Sequence, residues 1–212
     1  MNIDEIKDEC RKNLNRFTIE AFSRIPLIDK PLILDAGCGS GVPALALIEH
    51  CNGVVFAVDV DRANLHRFEK KASSLKNRDR INIINGSIFN DSLFDFKFDI
   101  ILAEGLLNVI GFEKGLLALV QYLKNGGYLV VHDELKNDPD KRLLFEKCNL
   151  KLLYSFRLME DVWLNEYFYC LKEKIRTIDH GKLYKKELAE IDESISNPGN
   201  LRSIYYVLHH AQ

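Results

Sequence analysis

No apolar run in this chain approaches the roughly 20 residues a helix needs to span a bilayer, so a helical membrane anchor is not expected. The opening stretch MNIDEIKDEC mixes acids and bases and holds no apolar segment of signal-peptide length, so no secretion signal is expected either. Neither sign of charge dominates. The 29 Lys+Arg stand against 31 Asp+Glu for a net of −2, and no basic cluster interleaved with aromatics is present, which argues against a nucleic-acid partner. Cysteine is sparse and scattered: Cys10, Cys38, Cys51, Cys148 and Cys170 form neither a C-x-x-C pair nor a zinc spacing. That pattern fits reduced, mostly buried thiols in a cytoplasmic protein. Internal repeats and low-complexity tracts are lacking as well.

What is there is ordinary globular composition, 47% hydrophobic and 28% charged over 212 residues, enough for one well-buried domain but not for two independent cores. Short apolar runs alternate with segments of helical periodicity from about residue 31 onward. Strands are expected at Leu32–Leu34, Val54–Val58, Ile81–Ile84, Phe98–Ala103 and Tyr128–Val131, with helices at Val42–His50, Arg62–Lys76 and Lys114–Leu123. The third of these helices is expected to stop at Asn125-Gly126-Gly127. Near-continuous apolar strands between amphipathic helices predict a doubly wound α/β fold around a mostly parallel sheet.

The ends read differently. Residues 4–24 read as one or two helices, a cap over residues 1–30 that precedes a cofactor-binding half over 31–135. The C-terminal half, 136–212, holds a strand at Leu152–Leu158 and an aromatic segment at Asp161–Ile175. A charged helix at Lys182–Ser194, a turn at Asn197–Asn200 and a last strand at Ser203–His209 complete it.

The segment Asp35-Ala36-Gly37-Cys38-Gly39-Ser40-Gly41 follows a strand and leads into a helix with Pro43 in its first turn. Glycines at such a place let the backbone turn sharply and come close to a ligand, and the helix N-terminus offers free N–H groups. A tight structural turn uses the same residues. Asp59, at the end of the second strand about twenty residues on, adds a carboxylate suited to ribose hydroxyls, and Asp61 is the better placed of the two to cap the next helix. Glycine turn and strand-end acid together suggest an adenosine-containing cofactor. The dinucleotide fingerprint wants its third glycine where Val42 stands, and this disfavours a nicotinamide-dependent dehydrogenase.

The segment PLILDAGCGSGVPALAL (Pro31–Leu47) is similar to the first motif of the class I S-adenosylmethionine-dependent methyltransferases. VVFAVDVD (Val54–Asp61), INGSIF (Ile84–Phe89), FDIILAEG (Phe98–Gly105) and LKNGGYLVVHDE (Leu123–Glu134) resemble the family's following motifs in order and spacing. A small-molecule subgroup is resembled through Ala103-Glu104-Gly105, the stretch Asn108–Gly115, and the C-terminal aromatics Trp163, Tyr167 and Phe168. The resemblance implies a Rossmann-like seven-stranded sheet with an N-terminal helical cap, S-adenosyl-L-methionine as cofactor and a small-molecule methyl acceptor.

It also implies roles. Asp35 and the backbone of Gly37, Cys38, Gly39, Ser40 and Gly41 would hold the methionine end, and Asp59 the ribose. Val60, Ser87 and Ile88 would flank the adenine. Ser87 stands where many relatives carry an aspartate for the adenine amine. Glu104 would touch the methionine ammonium or the acceptor, unless it is a solvated loop carboxylate. Glu104 and His132 are the candidate catalytic residues, and Asn108, Trp163 and Tyr167 the candidate acceptor residues. Core packing explains the aromatics equally well. A metal is not expected, since no dense ligand spacing is present. The cap helix with Phe17 and Phe22 is a candidate lid. A non-catalytic cofactor-binding sensor or partner subunit would keep the same cradle; the expected assembly is a monomer or homodimer.

Overall fold

The structure, a computed structural model, describes residues 2–179 and 183–211. Two helices open the chain, α1 (Ile3–Arg11) and α2 (Asn15–Ser23). Asn2 caps the first of them: its side chain accepts the N–H of Glu5, whose carboxylate in turn accepts the N–H of Asn2. The alternating part follows as β1 (Leu32–Ala36), α3 (Val42–His50), β2 (Val54–Asp59), α4 (Arg62–Ala72), β3 (Ile81–Asn85) and β4 (Phe98–Glu104). The short α5 (Leu107–Ile110) and then α6 (Phe112–Val120) lead to β5 (Leu123–Glu134), α7 (Asp138–Lys147) and β6 (Leu150–Leu158). A helical stretch, α8 (Glu160–Trp163), a π-helical turn (Leu164–Phe168) and α9 (Tyr169–Asp179), precedes α10 (Lys185–Ser196) and β7 (Ser203–His210).

All seven strands join one sheet in the order β3-β2-β1-β4-β5-β7-β6. Neighbours run parallel except β7, which is antiparallel to both β5 and β6. The apolar strands are buried on both faces. Leu34, Ile101, Ala103 and Leu129 join one core cluster, while Ile33, Ile100, Leu102 and Val130 join the other across the sheet, as the period-two alternation of a strand demands. A third, smaller cluster of Ile6, Cys10, Leu171, Ile175 and Ile191 ties α1 to α9 and α10.

Several sequence expectations change. The helix expected at Lys114–Leu123 ends at Val120, so Asn125-Gly126-Gly127 falls inside the long β5, where Gly126 takes φ +78° and the pairing with β4 shifts register. Helix α7 was not foreseen, and Lys141 and Phe145 are buried from it. The aromatic segment is helical. The last long helix begins at Lys185, and its expected first residue, Lys182, lies outside the described residues. The cysteines are not all reduced: Cys10 and Cys170 form a disulfide across 160 residues of sequence, a pairing that only the packing of α1 on α9 brings together. Among the described residues no helix is long and apolar enough to cross a membrane.

β1 is the strand at which the chain changes direction across the sheet, since β2 and β3 lie to one side and β4 to the other. The crevice outside the carboxyl ends of β1 and β4 is where such sheets bind ligands.

Candidate active site

Three cavities meet at that crevice. The first, about 310 Å³, is lined by Asp35, the Gly37–Ser40 backbone, Glu104, Gly105 and Tyr167, and roofed by Asp4, Lys7, Asp8 and Arg11 of α1. The second, about 250 Å³, has Asp59, Val60, Ser87 and Ile88 on one side and Leu106, Val109 and Ile110 on the other. The third, about 220 Å³, lies over His132, Asn108, Trp163, Phe168 and Ser203. Gly105 borders all three, and Gly37 borders the first two.

The glycines of the turn do different work. Gly37, Gly39 and Gly41 all have positive φ (+69°, +52° and +77°), which any other residue adopts only under strain. A Cβ on Gly41 would sit 2.4 Å from the Phe68 ring, so that glycine lets α4 pack against the start of α3. A Cβ on Gly37 would meet Leu106 Cδ1 at 2.7 Å. Gly39 and Gly105 have no atom within 4 Å of a built Cβ, so their bare backbones face open space. The close-packing role that the dinucleotide fingerprint gives its third glycine therefore falls here on Gly41, one place earlier.

Asp59 ties the turn to β2. Its Oδ2 accepts the N–H of Gly39 at 2.7 Å and its Oδ1 that of Asp61 at 2.8 Å. Each carboxylate oxygen keeps a lone pair for a ligand hydroxyl. Asp61 is the cap of α4, accepting from Ala63 and Asn64, as its position suggested. Ser87 accepts the N–H of Phe89 and keeps its hydroxyl proton to donate.

The acids of the first cavity are buried. Asp35 is only 2% exposed and its Oδ2 has no hydrogen-bond partner. Burial, reinforced by the nearby Glu104 carboxylate, pushes its pKa up to about 8. Glu104 is not a solvated loop residue, with a side chain only 7% exposed. Its Oε1 accepts from Thr18 Oγ1 at 2.6 Å and from the Tyr205 hydroxyl at 3.0 Å. Burial raises its pKa, while Arg11 and the two hydroxyls act the other way. Burial also raises the Cys38 thiol, which makes it inert wall rather than nucleophile. Ser40 donates to Asp8 of α1 at 2.6 Å, and Asp8 pairs with Lys71 at 2.8 Å, so α1 is latched onto the turn.

His132 lies beside Glu104 in register on β5, with Tyr205 beyond it on β7 and Phe156 on β6. Their rings stack: His132 on Tyr205 at 4.0 Å and 2°, Tyr205 on Phe156 at 5.0 Å and 8°. Trp163 lies nearly parallel to His132 at 5.8 Å. The indole Nε1 donates to Ser203 Oγ at 2.9 Å, and Ser203 lies 2.8 Å from His132 Nε2. An indole only donates, so the serine proton is left for the imidazole, which fits a neutral ring accepting at Nε2. Burial and, to a lesser degree, Arg11 hold its pKa down to about 3. His132 is thus a weak base at neutral pH, better suited to orienting than to taking a proton.

The expected acceptor residues separate. Asn108 and Trp163 share the third cavity, but Tyr167 faces the first. Phe17 and Phe22 do not form the lid: they pack against the sheet core, Phe17 tilted over Phe156, and the cover is the polar face of α1. Asp133, next to His132 on β5, is engaged by Lys141 at 3.1 Å. Sequence reasoning missed Arg11, Thr18, Ser203 and Tyr205. Nothing local in the sequence marked any of them.

A protein-family model described as a methyltransferase domain matches residues 33–127. An uncharacterized protein of Synechococcus sp. is 31% identical over 109 residues, which cover 50% of this chain and 26% of the relative. The chain thus spans about a quarter of the length of the curated relative it matches. Among solved structures, a putative sarcosine dimethylglycine methyltransferase from Galdieria sulphuraria superposes with a TM-score of 0.77 at 16% identity, covering 93% of this chain and 85% of that one. A methyltransferase from Thiobacillus denitrificans, in complex with S-adenosyl-L-homocysteine, gives 0.71 at 15% identity, covering 93% and 91%. The cyclase SpnF gives 0.77 at 15% identity, covering 93% and 81%, so the shared fold is not confined to proteins titled methyltransferases.

Proposed function

We propose, from the match of residues 33–127 to the model of a methyltransferase domain, that this chain transfers a methyl group from S-adenosylmethionine to a small-molecule acceptor. The observation that carries the reading is the buried Asp35 carboxylate, unpartnered at Oδ2, beside a second buried acid and the bare backbone of Gly39. Two buried acids in one cavity are costly to keep ionised unless a cation joins them. A ligand with an ammonium at one end and an apolar ring at the other fits the pair of cavities that share Gly37 and Gly105.

When bound, the cofactor supplies an electrophilic methyl on a sulfonium, so the protein's work is mostly alignment. Asp35 and Glu104 would hold the cationic methionine end, with the Gly37–Gly41 backbone beneath it. Asp59 would accept from the ribose hydroxyls, and Val60, Ser87 and Ile88 would flank the adenine. The third cavity, bordered by Gly105 and walled by Trp163, Phe168 and Asn108, would take the acceptor. Its volume of about 220 Å³ suits a small molecule rather than a polymer. His132 and Ser203 would orient the acceptor from below, and Arg11 stands at the border of the first and third cavities.

Mass spectrometry of ligands that co-purify with the chain, followed by a metabolite-pool screen with labelled S-adenosylmethionine, tests this. The expected result is S-adenosylmethionine or S-adenosylhomocysteine in the preparation and label in a small-molecule product. Binding with no product in any pool would favour the non-catalytic sensor or partner subunit.

A further inference from the structure

Glu104 is held from the two ends of the chain, not from its own loop. Thr18 of α2 and Tyr205 of β7 both donate to Oε1, at 2.6 and 3.0 Å, and Thr18 also lies 3.4 Å from the Tyr205 hydroxyl. Both donors are buried, at 1% exposure each. Oε2 accepts no hydrogen bond among the described residues; it lies 3.9 Å from the Arg11 guanidinium of α1. A carboxylate that accepts two hydroxyls on one oxygen is fixed in rotation and offers the other oxygen in one direction. Tyr205 is itself fixed by the stack between Phe156 and His132.

We propose that Thr18 and Tyr205 are positioning residues that saturate Oε1 of Glu104, leaving Oε2 as the oxygen offered to the α-ammonium of the bound cofactor. This rests on the reading of the first cavity as the site of the methionine end. It gives the helical cap and the last strand, both outside the matched residues 33–127, a part in cofactor affinity. Charged and titratable groups face Glu104 from several elements. Arg11 comes from α1, Asp35 from β1, His132 from β5 and Tyr205 from β7, with Lys7, Asp8 and Tyr167 farther along the cavity. Hydroxyl donation favours the ionised carboxylate, so removing a donor makes Glu104 protonate at higher pH. Ammonium binding then fades at higher pH too.

Calorimetric titration of the full chain with S-adenosylhomocysteine from pH 5 to 8 tests this. For Thr18→Val and Tyr205→Phe, affinity at pH 7 should fall roughly tenfold, the scale of one hydrogen bond to a charged group. The pH at which affinity fades should move upward in both. Thr18→Ser should restore both quantities. In a Glu104→Gln background Thr18→Val should change nothing further, which separates Glu104 from Asp35 as the responding acid. Wild-type affinity and pH profile in both Thr18→Val and Tyr205→Phe would overturn the positioning role and leave the cofactor reading intact. No binding by the unaltered chain at any pH would overturn the cofactor reading and the positioning role with it.

Discussion

The middle of the chain and its two ends build the site from different materials. The loops after β1, β2 and β4 present the backbone of positive-φ glycines beside strand-end acids set by the sheet. The ends present side chains. Helix α1 brings Lys7, Asp8 and Arg11, α2 brings Thr18, α8 brings Trp163, and β7 brings Ser203 and Tyr205. A backbone cradle serves a constant ligand and is hard to vary without breaking the turn. Side chains on a cap and a last strand can change one at a time. On the proposed reading the middle supplies the cofactor cradle, while the ends wall the acceptor cavity and, through Thr18 and Tyr205, orient Glu104, where the two meet.

The sharpest way to break that division is within the turn itself. Gly41→Ala should destabilise the fold most, because its Cβ would lie 2.4 Å from the Phe68 ring at a positive φ. Overpacking and strain together are worth about 2–5 kcal/mol, read as a fall in the thermal midpoint. Gly39→Ala should lose only about 1–2 kcal/mol of stability, from its φ of +52°, and show its main effect in cofactor affinity. Equal stability losses in the two variants would contradict the different uses assigned to these glycines.

Next in size is Asp59→Ala. It removes the acceptor for Gly39 and Asp61 N–H groups as well as the expected ribose contact. Calorimetry with S-adenosylhomocysteine should show binding weakened roughly 10- to 100-fold, corresponding to about 1.5–3 kcal/mol for a hydrogen bond to a charged group. An unchanged dissociation constant would remove Asp59 from the site.

Asp35 gives a pH test of the cradle. Its pKa is raised in the folded chain to about 8, so between about pH 4 and 8 the folded state holds a proton that the unfolded state has lost. This group therefore lowers stability as pH rises through that window, and below it contributes nothing. Asp35→Asn should raise the thermal midpoint at pH 8 by a few degrees, for about 1–2 kcal/mol, with little change at pH 4, while weakening S-adenosylhomocysteine. A midpoint gain that is the same at both pH values would contradict the buried-acid account.

The smallest effect belongs to the acceptor wall. Trp163→Phe keeps an aromatic wall and loses the Nε1 bond to Ser203. S-adenosylhomocysteine affinity should stay within about twofold, since a neutral hydrogen bond outside the cofactor cavities is worth only about 1 kcal/mol to the fold. A large loss of affinity would move Trp163 from the acceptor side to the cofactor side.

Legibility followed the same line. Apolar strands ending in Asp35, Asp59 and Glu104 announce themselves because a doubly wound sheet needs apolar strands and leaves its strand-end residues at the ligand crevice. The glycine turn is legible because its backbone angles are open to few other residues. Thr18 and Tyr205 carry no such mark: each is an ordinary residue in an amphipathic or β-forming segment, and what makes them matter is docking against a strand 86 or 101 residues away. The Cys10–Cys170 bridge was misread for the same reason, since spacing in sequence says nothing about α1 lying on α9. Tyr167 was grouped with Trp163 through the family resemblance, but it lies in the π-helical turn after Trp163 and lines the first cavity.

The central claim is that the crevice at β1 and β4 holds S-adenosylmethionine and not a nicotinamide dinucleotide. Thermal unfolding of the unaltered chain with S-adenosylhomocysteine, and separately with NAD, each at 100 times a micromolar dissociation constant, tests it most directly. The account predicts a rise of several degrees with S-adenosylhomocysteine, about 2.7 kcal/mol of added stability at that ratio, and none with NAD. A rise with NAD alone, or with neither, would contradict it.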